Sequence, residues 1–98
     1  MFIKYKKTKN KAFYIFNFQS DDEYQGFIKN LETLHDRAAK YWPEDKFPDQ
    51  HFAEALEKLI GKMNFRYDDK YAKDDTAGSF LLFPDEMADF ALLMYLLA

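Results

Sequence analysis

The chain has no cysteine. That excludes a disulfide framework and any zinc site built on thiolates. Glycine is reduced to Gly26, Gly61 and Gly78, too few and too scattered for a loop that cradles phosphate. Serine occurs only as Ser20 and Ser79, and no G-x-S-x-G elbow surrounds either one. Proline is equally scarce, and there is no internal repeat, low-complexity tract or linker. The longest apolar run, Phe90 to Ala98, is about half the roughly 20 residues that a membrane helix needs. Met1-Phe2-Ile3-Lys4 leads into a lysine-rich stretch without the apolar core of a signal peptide. These absences predict one soluble, cytoplasmic domain spanning residues 1–98, with no membrane association and no cofactor.

What the chain has in quantity is aromatic side chains. Of its 98 residues 48% are hydrophobic, with eleven Phe and seven Tyr among them. Each aromatic buries roughly 150–250 Å², so a core forms without covalent staples. Charge is unevenly spread within a net −3. Residues 1–19 carry Lys4, Lys6, Lys7, Lys9 and Lys11 and no acid, whereas the remainder carries nine basic and seventeen acidic residues. The asymmetry is too mild to announce a DNA binder.

Patterning predicts an α+β fold in the order ββααββα. Residues 2–7 and 12–18 read as a hairpin with Lys9-Asn10 at its turn, since Asn tolerates left-handed backbone. Centring the turn there places Tyr5 opposite Tyr14 and Ile3 opposite Phe16 on a core face. Phe2, Lys4, Lys6, Phe13, Ile15 and Asn17 then form the other, mixed face.

Ser20-Asp21-Asp22-Glu23 is a capping box with acids at the positive end of the helix dipole. Tyr24, Phe27, Ile28, Leu31, Leu34, Ala38 and Trp42 recur at helical spacing before Pro43, predicting a helix over 21–41. Phe47-Pro48-Asp49 reads as the start of a second helix, with Phe52, Ala55, Leu56, Leu59 and Met63 as its stripe and Gly61 near its end. The short joint predicts antiparallel packing of the two helices. Phe65-Arg66-Tyr67, with an extension toward Tyr71, and Ser79 to Phe83 read as strands. Pro84-Asp85-Glu86 opens the last helix, whose expected stripe is Met87, Phe90, Ala91 and Met94. The expected architecture is an antiparallel sheet of about four strands with three helices packed mainly on one face.

Several surfaces are candidates for function. Leu92 and Leu96 fall on the helical side of Asp85 and Asp89, away from the expected stripe. They are either covered by another element or form a partner or homodimer interface. Asp68, Asp69, Asp74 and Asp75 are spaced unlike a calcium loop. They are solvated charge, or carboxylates presented to a basic partner. Lys4, Lys6 and Lys9 with Phe13 are either guards of an edge hairpin or a surface for single-stranded nucleic acid. The sequence motif of the usual RNA-binding sheet is absent. His35 lies in the first helix's stripe and His51 at the margin of the second, with Glu54 one turn away. A metal-dependent enzyme built on them is imaginable, but H-E-x-x-H is missing.

No family is identified from these residues. A short, aromatic-rich, motif-free chain is similar in style to the small accessory proteins of phages and mobile elements. The leading expectation is a non-catalytic protein-binding module, acting as an inhibitor that covers a larger partner. A nucleic-acid binder using the basic hairpin is the alternative, and a metal-dependent enzyme the second alternative.

Overall fold

In a computed structural model, residues 1–67 and 78–97 are described. The elements are β1 (Phe2–Lys7), β2 (Ala12–Phe18), α1 (Asp21–Tyr41), α2 (Phe52–Arg66), β3 (Gly78–Leu82) and α3 (Pro84–Leu97). Among the described residues the sheet is antiparallel and three-stranded, in the order β1-β2-β3. The α+β class and the three helices agree with expectation; the described residues form three strands where about four were expected, and the expected extension of the 65–67 strand toward Tyr71 lies outside the described residues.

The hairpin has the expected register, with Tyr5 opposite Tyr14 and Ile3 opposite Phe16. Its turn differs in detail. No described residue takes a positive φ, so Asn10 does not use the left-handed region. The loop is closed instead by the Thr8 N–H and hydroxyl, which both donate to the Lys11 carbonyl, at 2.7 and 3.2 Å.

β2 and β3 carry the core. Phe16 stacks on Phe80 with centroids 4.8 Å apart and meets Phe90 of α3 edge-on. Phe18 is edge-on to Tyr24 and tilted against Phe27, both of α1. These contacts place α1 and α3 on the face that displays Phe16, Phe18, Phe80 and Leu82. That face is not core throughout. Ile3 and Tyr5 are 44% and 52% exposed, because β1 overhangs beyond the helices and packs mainly on β2.

α1 begins as expected. The Ser20 hydroxyl accepts from the Glu23 N–H at 3.1 Å. The Glu23 side chain does not complete the box. Its carboxylate pairs with the α-amino group of Met1 instead. α1 and α2 are antiparallel: Tyr24 donates to Asn64, His35 lies near Glu57, and Trp42 meets Phe52 edge-on.

Four expectations are corrected. Phe65-Arg66-Tyr67 is not a strand, since α2 continues through Arg66. The alternation of apolar and polar residues there is misleading, because Phe65 is 91% exposed while Arg66 turns inward to the Leu81 carbonyl. Gly61 sits inside α2 with open space where a side chain would be, so it ends nothing. α2 also starts later than Phe47-Pro48-Asp49. The connector makes further turns, with Lys46 and Phe47 donating to the Pro43 carbonyl and Gln50 to that of Phe47. The helix then opens at Phe52 after His51. Finally, α3 buries Glu86, Phe90, Leu93 and Leu97, with Met87 and Met94 only partly covered and Ala91 exposed. The buried stripe is thus rotated from the expected one, with Glu86 turned inward onto Arg66.

No described helix is long and apolar enough to cross a membrane.

Candidate functional site

α3 is the most unusual surface. From Phe90 to Leu97 it carries no charged side chain, yet Leu92 and Leu96 are 56% and 40% exposed and Tyr95 is more exposed still. The helix is apolar on faces that the described residues do not cover. Leu92 and Leu96 line a groove of ≈ 300 Å³ together with Leu93, Phe52 and Ala55, rimmed by Asp49, Gln50, His51 and Asp89. The groove follows from the fold. Leu93 seals α3 against the core while Leu92 and Leu96, on the flank, face the first turn of α2. Its floor is apolar and its charged rim is acidic, apart from the His51 imidazole.

The mixed sheet face is less open than a nucleic-acid platform requires. Phe13, Ile15 and Leu81 are half-buried there, and Asn17 and Ser79 are buried. The Ser79 hydroxyl has no hydrogen-bond partner among the described residues. Lys6 and Lys9 are exposed and Lys4 lies on the same strand. Phe13 is therefore not presented bare for stacking on bases. Asp68, Asp69, Asp74 and Asp75 lie outside the described residues.

The two histidines do not meet in one ligand set. His35 Nδ1 is 3.3 Å from Asp36, and its Nε2 is 3.9 Å from Glu57. His51 Nδ1 lies 3.3 Å from Glu44 and 3.7 Å from Glu54. Among the described residues, Glu44, His51 and Glu54 are the one group whose donor atoms converge, all within 4.8 Å of one another. All three are exposed, and Glu54 is already engaged by Lys58 at 3.2 Å. That hydrogen bond, with the Lys58 charge, lowers the Glu54 pKa, helped by His51 and Glu44.

Two polar arrangements went unanticipated. Arg66 binds Glu86 through two parallel hydrogen bonds, and Lys62 and the Phe83 N–H, each at 3.0 Å, complete the carboxylate's shell. The Arg66 hydrogen bond is the main reason the Glu86 pKa falls to about 2, and it overcomes the opposing effect of burial. Phe-Pro-Asp-Glu at 83–86 carried a partial signal, since a Glu at the third helical position reaches back to the N-cap amide. The second arrangement is a face-to-face stack of Tyr24 on Tyr67, 3.6 Å between centroids, with the Tyr67 hydroxyl donating to Asp21 at 3.0 Å. Both tie elements together, and Glu86 and Lys62 also line a cleft of ≈ 320 Å³ with His51, Glu54, Lys58, Asp85 and Asp89.

No family model, no curated protein and no solved structure matches this chain.

Proposed function

We propose that the protein is a non-catalytic binding module that docks on a larger protein through the flank of α3, and that it acts by covering its partner's surface, as an inhibitor does. The observation that carries this reading is the exposure of Leu92 and Leu96 over an apolar groove. Exposed apolar surface of this kind, rimmed by polar groups, is characteristic of interaction sites. The acidic rim of Asp49 and Asp89 defines the partner's chemistry: an apolar ridge flanked by Lys or Arg, whose opposite charge speeds encounter and sets orientation.

The test compares the protein with a Leu92→Asp/Leu96→Asp variant. Circular dichroism and a thermal melt report folding, and capture from the native host reports binding. A partner retained by the parent protein and lost by the equally folded variant supports the reading. Analytical ultracentrifugation identifies the other occupant of the same face, a homodimer. A second copy lost in the variant moves the assignment from partner to self.

A further inference from the structure

We propose that the outer edge of β1 is a second, separate docking site, which accepts an acidic extended segment of a partner protein as an added strand. The site does not depend on α3 or on its partner.

All six residues of β1 are exposed, whereas β2 beside it becomes fully buried from Phe16 to Phe18. β1 ends the sheet, and among the described residues no strand lies beyond it. The hydrogen-bonding phase of its edge follows from the turn. The Thr8 N–H donates to the Lys11 carbonyl, making that pair a hydrogen-bonded one next to Lys7 and Ala12. Hydrogen-bonded and non-bonded pairs alternate along an antiparallel ladder. Lys6, Lys4 and Phe2 therefore exchange bonds with β2, and the N–H and C=O groups of Ile3, Tyr5 and Lys7 point outward. An extended peptide adds to such an edge through main-chain hydrogen bonds, with side-chain contacts setting specificity.

Two features of β1 select the occupant. Ile3 and Tyr5 offer half-exposed apolar surface on the helix side of the sheet, which an added strand would cover. The lysines set the charge. The first nineteen residues hold five lysines and no acid. A second copy pairing here would set lysines against lysines, and like charges directly opposite are destabilising. Edge lysines of this kind are the usual protection against self-pairing. An acidic strand meets no such barrier and gains opposite charges across the pair. The edge thus rejects its own copy and admits a segment that alternates carboxylates with apolar residues.

The probe is a labelled synthetic peptide alternating Glu and Ile, beside a control with Lys in place of Glu. Fluorescence anisotropy reads binding, and amide hydrogen exchange by NMR reads its place. The acidic peptide should bind and the control should not. Affinity should fall about tenfold between roughly 20 and 200 mM salt, as screening of surface charge requires. Exchange should slow at the amides of Ile3, Tyr5 and Lys7 and stay unchanged at Lys4 and Lys6. Tyr5→Pro removes one outward N–H without taking a bond from β2, and should abolish binding in a folded protein. If that variant does not fold, Lys6→Glu/Lys7→Glu carries the same test by charge reversal. Leu92→Asp/Leu96→Asp should leave peptide binding unchanged. Equal binding of both peptides, protection outside β1, no binding at low salt, displacement by an oligonucleotide, or self-association lost on Tyr5→Pro would each overturn the proposal.

Discussion

Arg66 and Glu86 hold each other by two hydrogen bonds, at 2.7 and 3.0 Å, across twenty residues of chain. The pair joins the last turn of α2 to the first turn of α3. Arg66 also donates to the Leu81 carbonyl at 3.1 Å and lies over the Phe83 ring. One guanidinium therefore fixes the geometry of two helices and the end of β3.

Removing one partner of this pair should cost more than removing both. Glu86→Ala leaves Arg66 without its carboxylate and should destabilise the fold by about 2–4 kcal/mol. That is slightly under the range for fully buried pairs, because Arg66 retains some exposure. Arg66→Met/Glu86→Ala should lose less than the sum of Arg66→Met and Glu86→Ala. Urea unfolding of the four proteins checks this, and additivity would contradict the coupling.

The same carboxylate predicts acid sensitivity. The Glu86 pKa is held at about 2 when folded, against 4.5 for the free side chain. A depressed folded pKa contributes stability that is fully present above the unfolded value and is lost as pH falls toward the folded one. The protein should therefore weaken between pH 4.5 and about 2, by on the order of 3 kcal/mol from this group. Urea unfolding across that range should show a slope that Glu86→Gln reduces.

Gly78 is set by contact rather than by backbone conformation. A Cβ there would lie 2.6 Å from the Tyr67 ring, which is itself stacked on Tyr24. Gly78→Ala should cost about 1–3 kcal/mol, the usual range for overpacking. In a Tyr67→Ala background the same change should cost much less, a difference read by a double-mutant cycle.

The stacked tyrosines also predict alkaline behaviour. Burial raises Tyr24 to about 12, and burial with the hydrogen bond to Asp21 raises Tyr67 to about 12, against an ordinary value of 10.0. Their contribution is complete below pH 10 and is lost as pH rises toward 12. Tyrosinate absorbance should show two groups ionising near pH 12, and Tyr67→Phe should remove one of them.

How much of this was legible in the sequence depended on whether short-range rules governed it. The hairpin register and α1 followed from local patterning. Ser20 and Pro43 bracket one helical stripe, and Lys9-Asn10 centres one turn. What was misread depended on distant partners. Phe65-Arg66-Tyr67 has the alternation of a strand, but Arg66 is recruited by Glu86 and keeps α2 helical. Glu86 turns inward onto the same contact, and the buried stripe of α3 falls on Leu93 and Leu97. Leu92 and Leu96 were identifiable as an apolar flank because they share a side with Asp85 and Asp89. The groove they form with Phe52 and Ala55 was not, since it depends on where α2 begins.

The central claim is that α3 is a protein-docking surface, and capture from the native host's lysate tests it most directly. The parent protein and Leu92→Asp/Leu96→Asp are compared, with and without nuclease, by mass spectrometry. The account predicts a stoichiometric protein partner that survives nuclease and is absent with the variant. The variant should stay folded, with a loss of about 1–3 kcal/mol from poorer helix propensity and negative charge near the end of α3. A partner captured equally by both proteins, recovery that vanishes with nuclease, or a variant that fails to fold would contradict it.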